Sequence, residues 1–116
     1  MDFAKAVDAH VAWIMKLQEA IGGGSKLNVT EVGKDTLCEL GTWIYSLGTA
    51  HQDMTAFQNL KSKHAEFHQC AGEVVRKVNT GDVEGALVMV DKGGEFVRIS
   101  SETISAIKAM DNALKR

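Results

Sequence analysis

The sequence predicts an all-α fold, an antiparallel four-helix bundle in which one short helix carries a cysteine. Three observations lead there. The chain holds no proline among its 116 residues, so no proline interrupts a long helix. Only 6% of the residues are aromatic and β-branched runs are few, so strand formers are scarce. Apolar residues recur at alternating spacings of three and four within segments parted by glycine-rich breaks, the stripe of helices that bury one face.

The first helix is expected over Asp2 to about Ile21, with Phe3, Val7, Ile14, Leu17 and Ile21 on its stripe and His10 where a further hydrophobe is due. Gly22 to Ser25, GGGS, ends it, because glycine opens left-handed backbone angles and stops helix propagation. Lys26 to Gly33 reads as a loop, long for a bundle, and long ordered loops often carry function. A short helix is expected from about Asp35, its candidate N-cap, to Leu47. Gly48 begins a second break in which His51 reads as a solvated loop residue, and Asp53 is the candidate cap of the next helix. That helix, about Met54 to Asn79, is the longest, with Phe57, Leu60, His64, Phe67 and Ala71 on its stripe and His68 beside it. The last begins near Asp82 and runs to the C-terminus through Val83, Leu87, Val90, Val97, Ile104 and Ile107. Gly93 and Gly94 interrupt it at a propensity cost of about 2 kcal/mol relative to alanine. A bend or a close backbone approach is expected there.

Composition narrows the function classes. With 45% apolar and 24% charged residues, residues 1–116 can bury a core as a single domain. A net charge of −2 gives no electrostatic footprint for nucleic acid or an anionic membrane. No apolar run approaches the roughly 18 residues that span a bilayer, and charge among the first residues argues against a signal peptide. Two cysteines are too few for a disulfide framework, which points to a reducing, cytoplasmic setting.

The chemistry-bearing residues are few. The chain has four histidines, three of them on apolar faces. His64 and His68, one turn apart and about 40° around the helix, have the spacing by which one helix offers two imidazoles to a metal ion. His10 occupies a core position of another helix. Each imidazole taken singly can instead be a core histidine bonded to a carbonyl or a water. Together, three buried rings on stripes with hardly a carboxylate favour a shared metal, since each would cost about 1–3 kcal/mol if buried unpaired. Cys38 on the short helix supplies the fourth donor, with Gly41 one turn beyond it leaving room for a neighbouring helix. Three imidazoles and a thiolate suit one tetrahedral Zn²⁺ per chain. Four protein donors leave no position for substrate, so the chain reads as non-enzymatic. Trp13 and Trp43 bracket the set and would shield it from water, though each can equally be a large core side chain. Cys70 lies about 200° around the helix from His68 and reads as a packed thiol.

His10-x-x-Trp13, Cys38-x-Leu40-Gly41-x-Trp43 and His64-x-x-x-His68, in that order, resemble the chemoreceptor zinc-binding domain family, CZB, over almost the whole chain. The resemblance implies a bacterial cytoplasmic helical domain that binds zinc through His10, Cys38, His64 and His68. It implies a sensory role, reporting zinc or oxidants such as hypochlorous acid through the zinc-bound Cys38. It further implies coupling to a chemoreceptor or diguanylate cyclase output module in chemotaxis or cyclic-di-GMP signalling, and makes a homodimer a candidate assembly. No output module lies within these 116 residues. Two readings compete. A metal-free or structurally zinc-stabilised helical dimerisation module would use the histidines only for packing or scaffolding. A di-iron oxygen binder would need more imidazoles or several inward carboxylates, which the stripes lack.

Overall fold

Asp2 opens the first helix by accepting a hydrogen bond from the Lys5 amide at 3.1 Å, satisfying one of the free donors of the first turn. The computed structural model describes residues 1–22, 32 and 38–115. Among them the chain forms α1 (Phe3–Ile21), α2 (Glu39–Ile44), a 3₁₀ turn (Leu47–His51), α3 (Thr55–Asn79), α4 (Val83–Val90) and α5 (Glu95–Leu114), and no strand. The all-helical expectation holds for these residues. The expected N-cap Asp35, most of the GGGS break and nearly all of the loop after it lie outside them.

Three boundaries differ from the sequence reading, each for a local reason. The described part of the short helix begins with Cys38 as its N-cap and ends at Ile44. The backbone then tightens into the 3₁₀ turn at buried Gly48, where a Cβ would stand 2.8 Å from the Trp43 carbonyl. His51 is no solvated loop residue: it is half-buried, its ring stacked at 25° on Trp43. Asp53 does not cap α3. The Met54 amide bonds the His51 carbonyl at 2.9 Å, which carries Met54 into the cap position without any side-chain cap bond.

The last expected helix is two. Gly93 adopts φ +82°, a left-handed angle, and a Cβ at Gly94 would collide with the carbonyls of Val88 and Met89. The paired glycines therefore turn the chain sharply between α4 and α5. That break resets the helical phase. Leu87 and Val83, expected on the buried stripe, are exposed, while α4 buries Ala86, Met89 and Val90. On α5, Phe96, Ile99, Thr103, Ile107 and Met110 are buried, and Val97 and Ile104 sit at the margin.

Two apolar clusters form the interior. One gathers Phe3, Ala6, Leu40, Ile44, Leu60 and Ile107 with their neighbours. The other gathers Leu17, Val32, Phe67, Val74, Met89 and Phe96 with theirs. On α1 His10 falls between Ala6 and Leu17, and on α3 His64 falls between Leu60 and Phe67. The histidines thus occupy the level between the two clusters, braced above and below by close-packed side chains.

Candidate metal centre

Helical periodicity brings His10 to the buried face of α1 and His64 and His68 to that of α3, with exposures of 2%, 0% and 2%. The ring centroid of His10 lies 5.1 Å from that of His64 and 5.9 Å from that of His68. Cys38 enters from the start of α2 and is half-buried. One donor atom from each of the four lies within 4.8 Å of the others.

The hydrogen bonds around the rings select which nitrogens face the cluster. His10 donates from Nδ1 to the Ala6 carbonyl at 2.7 Å. His68 donates from Nδ1 to the Val32 carbonyl at 3.0 Å. In both, Nε2 is left with a lone pair, and His10 Nε2 is buried with no partner among the described residues. His64 Nε2 stands 3.0 Å from Cys38 Sγ and 3.2 Å from His68 Nε2, while its Nδ1 is buried and unpartnered among the described residues. One proton on His64 Nε2 can serve one neighbour at a time. A cation with vacant coordination sites can serve all four donors together. Zn–N and Zn–S bond lengths correspond to donor separations of about 3.3–3.6 Å in a tetrahedron, so this cluster suits one zinc ion after small side-chain adjustments.

Electrostatics point the same way. Burial first, then the neighbouring His68 and His10, lowers the His64 pKa to about 3. His10 is lowered chiefly by burial, opposed by its bond to the Ala6 carbonyl, with His68 adding to the lowering. Both rings are therefore neutral at pH 7, the form that offers a lone pair to a metal. The Gly41 amide donates to Cys38 Sγ at 3.3 Å, a bond that favours the thiolate. Gly41 thus contributes through its N–H.

The tryptophans play unequal parts. Trp13 sets its ring edge to face against His68, centroids 6.2 Å apart. Trp43 packs on Phe3, His51 and Phe57, which seats α2 against the ends of α1 and α3. Cys70 is buried on α3 outside the cluster. Its thiol is pushed up to about 11 by burial, reinforced by Glu95 and Glu73 against the opposing Arg98.

Two groups escaped the sequence reading. The Ala6 carbonyl is four residues before His10 and could have been found from helix geometry. The Val32 carbonyl reaches His68 across 36 positions of sequence, and no local pattern announces it.

Residues 10–75 match the pattern of the chemoreceptor zinc-binding domain, more than half of the chain. The chain belongs to this family. The matched span opens on His10 and contains all four donors of this CZB domain. It is similar to the diguanylate cyclase DgcZ of Escherichia coli strain K12, 30% identical over 78 residues, 65% of this chain and 26% of that protein. The chain spans about a quarter of that curated relative's length. No solved structure matches it. Among the described residues no helix is long and apolar enough to cross a membrane.

Proposed function

We propose that this chain is a zinc-dependent sensory domain in which His10, Cys38, His64 and His68 are the metal ligands and Cys38 is the reactive one. The observation that carries the reading is the convergence of four scarce donor side chains from three helical elements, within 4.8 Å of one another. A zinc ion bound there would hold the Cys38 sulfur as a thiolate among three neutral imidazoles. The residues around it divide the remaining work. The carbonyls of Ala6 and Val32 aim His10 and His68, Trp13 keeps water from the His68 side, and Gly41 supports the sulfur.

The Cys38 thiolate is oxidisable. Its sulfur would attack the chlorine of hypochlorous acid and displace hydroxide, and water would then displace chloride from the sulfenyl chloride, leaving a sulfenic acid and a proton. The oxidised sulfur would be a poorer donor, so α2 would lose its metal tie to α1 and α3 and keep only its apolar packing through Leu40, Trp43 and Ile44. A module attached to this domain, of chemoreceptor or diguanylate cyclase type as the DgcZ similarity suggests, would read that loosening. Residues 1–116 are on this reading one domain, an antiparallel bundle that acts without catalysis, in the cytoplasm, as a homodimer. Four protein ligands leave no open coordination position, which supports the non-catalytic role. A packing-only module would leave His10 Nε2 buried without a partner, which favours the metal reading over it.

Cobalt substitution tests the proposal. One equivalent of Co²⁺ per chain should give intense visible bands of tetrahedral coordination and a sulfur-to-cobalt charge-transfer band. An octahedral spectrum, or unchanged metal uptake in the His64→Ala, His68→Ala double variant, would contradict it.

A further inference from the structure

We propose that Thr103 is a positioning residue for the metal centre. Its hydroxyl reaches from α5 to the main-chain carbonyl of Lys63 at 3.1 Å and thereby fixes the turn of α3 that aims His64. The proposal rests on the zinc reading above and concerns how one donor is held.

His64 differs from the other two imidazoles. His10 and His68 each anchor Nδ1 on a carbonyl, the usual device that sets the rotation of a ligating ring. His64 Nδ1 has no partner among the described residues, although the residue is 0% exposed. With Nδ1 unanchored, its ring is placed by Nε2, against Cys38 Sγ and His68 Nε2, and by the backbone that carries it. Lys63, the preceding residue, is held at both ends by consecutive residues of α5. Thr103 Oγ1 lies between the Lys63 carbonyl and its own helix's Ile99 carbonyl, 2.8 Å away, so its single proton is shared between them. A bond to the carbonyl four residues back is ordinary for threonine in a helix; the reach to a second helix is not. Beside it, Glu102 takes Lys63 Nζ at 2.8 Å, and Arg98 holds the other carboxylate oxygen at 2.9 Å.

α5 contributes none of the four donors, and Thr103 lies outside the span that matches the family. One turn earlier, Ser100 provides an internal contrast. It is equally buried, yet its hydroxyl has no partner among the described residues. Both side chains are buried on α5, and they differ in whether they grip the His64 turn.

The test compares Thr103→Val, Thr103→Ser and Ser100→Ala with the wild type. Zinc affinity is measured by chelator competition, and the ring nitrogens of His10, His64 and His68 are followed by NMR in the zinc-loaded protein. Thr103→Val should weaken zinc binding by about tenfold, the lower end for loss of a supporting group. It should shift the His64 ring signals while those of His10 and His68 stay in place. Thr103→Ser should restore both readouts, and Ser100→Ala should change neither. Wild-type affinity in Thr103→Val, equal shifts in all three rings, or a Thr103→Ser as weak as Thr103→Val would overturn the proposal. Should Thr103→Val fail to fold, the wild type answers instead: zinc loading must slow exchange of the Thr103 hydroxyl proton more than that of Ser100, and equal slowing overturns the proposal. A wild type that takes up no zinc fails the metal reading and this inference together. A wild type that binds, matched by Thr103→Val, fails the inference alone.

Discussion

The two sides of the centre are built to different standards. His10, His64 and His68 stand on helices of 19 and 25 residues, fully buried, between two apolar clusters. Cys38 stands at the start of a helix of 6 residues and is only half-buried. Helices that short are marginal by themselves, so α2 depends on what holds it from outside: Leu40 and Ile44 in the apolar cluster, and Cys38 at the centre. Three donors are thus prearranged by the scaffold. On the proposed reading, the fourth arrives on a segment that a bound metal would help to hold. A centre built this way can lose one ligand without losing its frame, which is what a switch requires.

Removing the metal should have the largest effect. A structural zinc contributes on the order of 10 kcal/mol of apparent binding energy at neutral pH, so strong chelation of the zinc-loaded protein should lower Tm by more than about 10 °C. Differential scanning calorimetry with and without chelator measures it, and the His64→Ala, His68→Ala double variant should show no further fall on chelation. Breaking only the weak side should be milder and local. In Cys38→Ser, hydrogen exchange should show protection lost first across residues 38–51, with α1, α3 and α5 retaining theirs. Uniform loss over all helices would erase the distinction between the two sides, and unchanged protection throughout would mean that Cys38 is no switch.

How much of this was legible in the sequence follows the same division. The stripes of α1 and α3 placed His10, His64 and His68 on buried faces because helical periodicity is a local property. Cys38 joined them in the reading through residue chemistry, and the structure brings its sulfur to 3.0 Å from His64 Nε2. The phase of the last segment misled. Val83 and Leu87 fitted one continuous stripe, but a left-handed Gly93 and the close approach at Gly94 begin a new helix with its own phase. Asp53 had the composition of a cap but not the position, since the 3₁₀ turn before it sets where α3 starts. The Val32 and Lys63 carbonyls and the Thr103 hydroxyl are tertiary partners, and no pattern within a helix shows what will lie across from it.

The two cysteines offer a finer comparison of exposed reactivity against burial. With its thiol pushed up to about 11, Cys70 holds about one part in a thousand as thiolate at pH 8, and the thiolate is the nucleophile. In the metal-free protein, iodoacetamide at pH 8 should label Cys38 at least about tenfold faster than Cys70. A raised pKa disfavours the thiolate, so the Cys70 rate should climb about tenfold per pH unit toward pH 11. Sub-stoichiometric hypochlorous acid on the zinc-loaded protein should likewise place sulfenic acid on Cys38, read by mass spectrometry. Predominant modification of Cys70 with Cys38 intact would remove Cys38 from its sensing role.

The smallest effect separates two duties that Cys38 performs at once. Its sulfur is a candidate ligand, and it also caps α2 by accepting the Gly41 amide. Serine is a strong N-cap and alanine a poor one, a difference of about 1 kcal/mol in helix ends that have been compared. Zinc affinity should fall in both Cys38→Ser and Cys38→Ala, because neither offers a thiolate. Metal-free stability should part them, with Cys38→Ser at or above the wild type and Cys38→Ala lower by about 1 kcal/mol in urea unfolding. If the two variants unfold alike without metal, the Gly41 bond contributes nothing to α2, and the short helix is held by Leu40 and Ile44 in the apolar cluster alone. If Cys38→Ala falls by several kcal/mol, α2 is not the weak side of the centre, and the contrast between its two sides fails.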